Sequence, residues 1–203
     1  MRPIFAIVYQ SGYPTEAFRE FSDALRRENL TIHLEERQPL GPMAGVMWMM
    51  ITGAFVYIGK SYFDGFLKEI GKEHYQLLKA RLAELTTKTM DIPRIEPVLV
   101  GTAGKVEEDD PYTMAFSIYV EMRDGSQIKL LLPKNDGSID YSQRTGVFLD
   151  FVKRCYEDGD AVLNEAGIQP SKRPGINPIT VAFNSKSGKI EFQDPRPKHL
   201  RDK

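Results

Sequence analysis

The hydrophobic pattern of the first forty residues predicts a strand, a helix and a second strand. Residues 4–9 are apolar at every position, which is typical of a short strand covered on both faces of a sheet. After Pro14 the apolar residues recur at helical spacing, and residues 30–37 then alternate between apolar and polar. Because the links between these elements are short, they predict a right-handed βαβ unit with parallel strands.

The next two segments both read as helices. Residues 43–58 are apolar on all sides of a helical projection, with Pro42 at the first position and Gly59 beyond the end. Residues 61–86 keep an apolar stripe on one face for about seven turns. The pattern therefore predicts a helical pair, about 43–58 and 61–86, that covers one face of the sheet.

The second half of the chain changes to a β pattern. Alternating runs on both sides of Asp124-Gly125 predict an antiparallel hairpin. Helices are predicted over 141–156 and near 160–166, and a second antiparallel hairpin over 179–193. The predicted class is α+β with a mixed sheet, as a single domain over residues 1–194 with a polar basic tail over 195–203.

Composition and charge narrow the range of functions. The chain has 203 residues, of which 41% are hydrophobic and 27% charged, and its net charge is −1. These values indicate a soluble globular protein and predict no specific binding to nucleic acid. Cys155 is the only cysteine, so an internal disulfide and a multi-cysteine metal site are excluded. We expect Cys155 to be buried on a helix, and the chain to be cytoplasmic, with membrane association as one alternative.

Familiar motifs for cofactors and metals are missing. In residues 100–106 two residues separate the glycines where a phosphate loop needs four, and four acidic residues follow. Asp136 and Asp140 lack the acidic alternation of a calcium loop, and Asp140 with Gln143 fits a helix capping box instead. His33 falls on the polar face of a strand and His74 in an apolar helical stripe. The sequence predicts no cofactor and no metal, and it assigns no catalytic residue.

One candidate ligand site lies where the first strand leads into the first helix. Open α/β sheets bind ligands at the C-terminal ends of their strands, and helix N-termini favour anions. Arg37, at the end of the second strand beside Glu35, would act there as an anion clamp. The predicted ligand-binding residues are Tyr9, Ser11, Gly12, Thr15 and Arg37.

The apolar run over 43–58 leaves three alternatives open. As a helix it would be about 25 Å long, which is short of the ~30 Å hydrocarbon core of a bilayer. It is therefore an internal core helix, a membrane-contacting helix, or a surface for a protein partner or a second copy of the chain. The interaction surface predicted in the last two cases consists of Met43, Met47, Trp48, Met50, Phe55, Tyr62 and Phe66.

Two functional hypotheses follow from these patterns. The first is a non-enzymatic interaction module, with or without peripheral membrane association, that uses the region around residues 43–67 as its contact surface. The second is a small α/β enzyme or anion-binding protein with its site at the C-terminal ends of the first two strands. The sequence leaves open whether the protein is an enzyme.

Overall fold

A mixed seven-stranded sheet forms the centre of the protein. The computed structural model describes residues 4–38, 52–66, 72–92, 111–168 and 178–194. The strands run in the order β2-β1-β3-β4-β5-β6-β7 across the sheet. Neighbours β1/β2, β3/β4 and β5/β6 are parallel, and the other pairs are antiparallel. The strands are β1 (Phe5–Gln10), β2 (Ile32–Arg37), β3 (Ala54–Ile58), β4 (Phe116–Glu121), β5 (Gln127–Leu131), β6 (Ile179–Asn184) and β7 (Lys189–Phe192).

The described helices pack on one face of this sheet. They are α1 (Glu16–Arg27), α2 (Lys72–Met90), α3 (Tyr141–Asp158) and α4 (Asp160–Glu165), and a short π-helical segment covers Tyr62–Phe66. Helix α2 packs against both α1 and α3. Within the described residues, no helix is both long enough and apolar enough to cross a membrane.

The α+β class and most of the predicted elements are confirmed. The N-terminal unit is β1-α1-β2 with parallel strands, and Asp124-Gly125 forms the turn of the β4–β5 hairpin. Strands β6 and β7 form the second predicted hairpin. Asp140 caps α3, because its carboxylate accepts a hydrogen bond of 2.8 Å from the backbone N–H of Gln143.

The predicted helix over 43–58 is wrong at its C-terminal end. Residues 54–58 form β3, an internal strand that pairs with β1 on one side and β4 on the other. Its side chains alternate between buried and half-buried, as expected for a strand inside a sheet. Residues 43–51 lie outside the described residues. The predicted helix over 61–86 corresponds to the π-helical segment and α2, which extends to Met90.

The main core lies between the helices and the face of the sheet that they cover. One face of each strand supplies alternate residues, such as Phe5, Val56 and Ile118, and all three are fully buried. Leu25 of α1 and Leu82 of α2 pack into the same cluster. Cys155 of α3 is also buried there, which confirms its predicted burial.

The opposite side of the sheet has a different chemistry. We call it the second face, meaning the side turned away from the four described helices. Because strand side chains alternate between faces, the residues between the core positions point to this side. On the three central strands β3, β4 and β5 these residues include Tyr57, Tyr119, Glu121 and Lys129. The second face therefore carries the polar groups of the sheet interior.

Candidate ligand-binding site

A row of polar side chains crosses the second face. Tyr57 on β3 pairs with Tyr119 on β4, which pairs with Lys129 on β5, and Lys129 pairs with Thr180 on β6. Adjacent strands lie about 4.8 Å apart, so each side chain in this row is a direct neighbour of the next one. Lys129 and Thr180 are 1% and 0% exposed, which is unusual for polar residues in a sheet.

Lys129 is the most informative member of the row. Its Nζ lies 5.3 Å from the centroid of the Tyr119 ring, at the distance of a cation–π contact. Burial removes water from the amine and disfavours its charged form, which lowers the pKa of Lys129 to about 7. Near pH 7, roughly half of the molecules would then carry an uncharged amine at this position.

A buried carboxylate lies beside this lysine. Glu121 is 4% exposed and follows Tyr119 by two residues on the same face of β4. It is therefore diagonal to Lys129, at a Cα separation of roughly 7–8 Å. Its Oε2 accepts a hydrogen bond of 2.6 Å from the Tyr57 hydroxyl and one of 3.4 Å from the backbone N–H of Lys60. These contacts fix the carboxylate at the C-terminal ends of the parallel strands β3 and β4.

Further aromatic and hydroxyl groups lie beside this row on the second face. The rings of Phe55 and Tyr119 make an edge-to-face contact with centroids 5.1 Å apart. The hydroxyls of Thr52 and Ser117 share a hydrogen bond of 2.6 Å. Burial raises the pKa of Tyr119 to about 12, although a hydrogen bond with Ser117 acts in the opposite direction. Tyr119 therefore keeps its proton near neutral pH.

We call Tyr57, Tyr119, Glu121 and Lys129 the lysine cluster. It combines an amine that is readily deprotonated, a hydrogen-bonded carboxylate and two phenols within one patch of the sheet. Such groups can donate to and accept from a small polar molecule, and they can move protons. Among the described residues, no group of three or more His, Cys, Asp or Glu side chains is placed to hold a metal ion.

At the ligand site predicted at the ends of β1 and β2, the charged group expected to bind the ligand already has a partner within the protein. The structure brings Ser11 and Arg37 together, since the N–H of Ser11 donates to the carbonyl of Arg37 at 2.8 Å. However, the Arg37 guanidinium donates to the Glu35 carboxylate at 2.8 Å. This hydrogen bond holds the pKa of Glu35 below its usual range. Because its guanidinium is paired with a carboxylate, Arg37 is less able to bind an anion.

The other predicted ligand-binding residues do not converge with Arg37. The Tyr9 ring packs on Phe18 of α1, with centroids 5.2 Å apart, and so lies on the helix-covered face. Thr15 occupies the N-cap position of α1, but its side chain makes no capping hydrogen bond. Gly12 has a φ of 90°, which suits its place in the turn after β1. A ligand site built from these residues stays a prediction.

The predicted interaction surface divides into several environments. Tyr62 is fully buried and packs edge-to-face on Phe5 and Phe63, so it belongs to the core rather than to an exposed surface. Phe55 is half-buried on the second face. The Phe66 side chain lies outside the described part of the structure, and so do Met43, Met47, Trp48 and Met50. For these five residues the contact surface stays a prediction.

The two candidate histidines behave as surface and boundary residues. The side chain of His33 is 59% exposed on β2, which confirms its predicted place on the polar face. His74 is 15% exposed, and its Nε2 lies 3.2 Å from a carboxylate oxygen of Glu28. This contact links α2 to the end of α1.

Comparison with protein-family models, with curated proteins and with solved structures finds no match to this chain. The polar groups of the second face are therefore the main guide to what this protein binds.

Proposed function

We propose that this protein binds a small molecule carrying a carbonyl or carboxylate group on the second face of its sheet, at the lysine cluster. Lys129 and the tyrosine hydroxyls supply donors for the oxygen atoms of the ligand. Glu121 supplies an acceptor for a hydroxyl or amino group. The proposal keeps the class of a ligand-binding protein and places its site at the centre of the sheet instead of at the ends of β1 and β2.

The observation that carries this proposal is the burial of Lys129 on a central strand. An amine removed from water disfavours its charged form, and an apolar side chain of similar size would fill the same space without that cost. Buried ionisable residues that replace an apolar side chain in this way are found mostly at functional sites. The adjoining Glu121–Tyr57 pair, joined at 2.6 Å, provides further polar groups in the same patch.

Ligand-observed NMR with small carboxylates and carbonyl compounds tests the proposal. Glycolate and glyoxylate are suitable probes, because they share a carboxylate and differ only in a hydroxyl or an aldehyde group. We expect both to bind the wild-type protein, and K129M to weaken the binding at least tenfold. Lys134 is exposed in the segment after β5, so K134M is the matched control and should bind like the wild type.

A second readout locates the bound probe. Backbone amide shifts should concentrate on β3, β4 and β5 in the wild-type protein, with little change in α1 or β7. If neither probe binds, the proposal is refuted for this class of ligand. Binding that K129M leaves unchanged would refute the assignment of the site to the lysine cluster.

A further inference from the structure

The lysine cluster contains the groups that a reaction between an amine and a carbonyl compound requires. Such a reaction needs an uncharged amine as the nucleophile and a nearby group that moves protons. Lys129 supplies the amine, held over the face of the Tyr119 ring at 5.3 Å. The Tyr57 hydroxyl and the Glu121 carboxylate, which share a hydrogen bond of 2.6 Å, supply the proton-transfer pair.

We propose that Lys129 forms a covalent imine with a small aldehyde or 2-oxo acid bound at the lysine cluster. This inference rests on the proposed function, since the carbonyl compound must first bind there. The Lys129 amine attacks the carbonyl carbon, and the carbonyl oxygen takes a proton to give a carbinolamine. The nitrogen then loses a proton, the hydroxyl takes a second proton and leaves as water while the nitrogen lone pair forms the C=N bond, and loss of the remaining N–H proton gives the imine. The step needs no oxidant or reductant.

The electrostatics of the site favour this role. The pKa of Lys129, lowered to about 7 by burial, leaves a large share of the amine uncharged at neutral pH, whereas an ordinary lysine has a pKa near 10.4. Each carbinolamine must gain a proton on oxygen and lose one from nitrogen, and we assign this exchange to the Glu121 carboxylate on the adjacent strand β4, with the Tyr57 hydroxyl on β3 hydrogen-bonded to it. Tyr57 and Glu121 act here as positioning and proton-transfer residues, whereas Lys129 is the nucleophile.

Reductive trapping tests the inference on the wild-type protein. The protein is incubated with glyoxylate and cyanoborohydride at about pH 7, and the modified lysines are mapped and timed by peptide mass spectrometry. We expect Lys129 to be modified at least tenfold faster than the exposed residues Lys134 and Lys186. Since Lys129 is almost fully buried, this labelling reports access of the probe as well as reactivity.

Two variants separate proton transfer from simple packing. Y57F and E121Q should each slow the modification of Lys129 about tenfold or more, which is at the low end of general acid–base effects. Because Tyr57 and Glu121 also belong to the proposed binding site, the rates are compared at saturating glyoxylate, where weaker binding alone does not change them. Unchanged labelling rates in both variants would overturn the role assigned to the pair.

The outcomes distinguish this inference from the function on which it rests. If glycolate and glyoxylate bind but Lys129 stays unmodified while Lys134 reacts, imine formation is overturned and ligand binding stands. If neither probe binds and Lys129 stays unmodified, both are overturned. Selective modification of Lys129 supports both together.

Discussion

The most informative residue is Lys129, and the sequence pattern gives little warning of it. In the segment 127–131 Gln127 and Lys129 alternate with apolar residues, so Lys129 reads as a solvent-facing position of an amphipathic strand. The pattern fixes which face of the strand the side chain occupies, but burial depends on what the rest of the chain places over that face. For the same reason Tyr119 and Glu121 read as ordinary surface positions, whereas Tyr57 falls inside the apolar run that predicts a helix over 43–58.

The lowered pKa of Lys129 has a consequence for stability. In the unfolded chain this amine takes its ordinary pKa of about 10.4, so between about pH 7 and that value the unfolded state binds more protons than the folded state. The free energy of unfolding therefore rises with pH across this interval and becomes independent of this group below about pH 7, where both states are protonated. In K129M this contribution is absent.

Denaturant unfolding of both proteins at two pH values measures the effect. We expect the stability of the wild type relative to K129M to increase by about 2 kcal/mol from about pH 7 to about pH 9. K134M, which removes an exposed lysine, should follow the wild type at both pH values. A difference between wild type and K129M that stays constant with pH would show that Lys129 titrates normally.

At the scale of elements, strand β3 shows where periodicity fails. A continuous apolar run fits a helix and a buried strand equally well, because both bury every side chain. Gly53 and Gly59 bracket a stretch rich in β-branched and aromatic residues, which is a strand signal within the longer run. Where apolar and polar positions alternate or recur clearly, as in β4, β5 and α3, the sequence prediction is confirmed.

The junction of α3 and α4 depends on a single glycine. Gly159 has φ 65° and ψ −135°, a conformation in which a side chain clashes with the backbone, and it joins the two helices directly. We expect G159A to lower the free energy of unfolding by about 1–3 kcal/mol, as measured by chemical denaturation.

Gly65 provides the matched control for this prediction. It lies in the π-helical segment and its φ is not positive. A Cβ added at either glycine would meet nothing within 4 Å, so the positive φ is what distinguishes Gly159. G65A should therefore be neutral or stabilise by up to about 1 kcal/mol through the lower entropy of the unfolded chain. Equal effects of the two substitutions would contradict the assignment of strain to Gly159.

At the scale of the whole molecule, the handedness of the crossovers is not what local rules predict. Strands β1 and β5 run in the same direction. However, β2 lies next to β1 on the side facing one edge of the sheet, whereas β6 lies next to β5 on the side facing the other edge. Because α1, α2 and α3 pack on one face, the β5–β6 crossover must have the opposite hand to β1–β2 and β3–β4. A uniform hand would place α3 on the opposite face of the sheet from α1 and α2. Most of the elements, β3 excepted, were predictable from sequence, while the face of the sheet on which α3 packs was not.

The single domain predicted over residues 1–194 has a thermodynamic test. One core cluster joins Phe5 of β1 to Ile190 of β7, and the sheet is continuous between them. A shared core makes partial unfolding of either end costly, so we expect one cooperative unit. Native-state hydrogen exchange should give the slowest amides of β1 and β6 the same opening free energy, within about 1 kcal/mol, and that value should match global unfolding by circular dichroism.

The edge strands serve as an internal control in the same experiment. Strands β2 and β7 each have one unpaired side within the described sheet, so part of their exchange should occur by local fraying that responds weakly to denaturant. Strands β3, β4 and β5, which lie at the centre, should exchange only by global opening. If the amides of β6 opened with a distinctly lower free energy than those of β1, the C-terminal half would unfold independently. The chain would then contain two cooperative units, and ligand binding at the lysine cluster would be expected to stabilise both, since that cluster lies across strands β3, β4 and β5 between them.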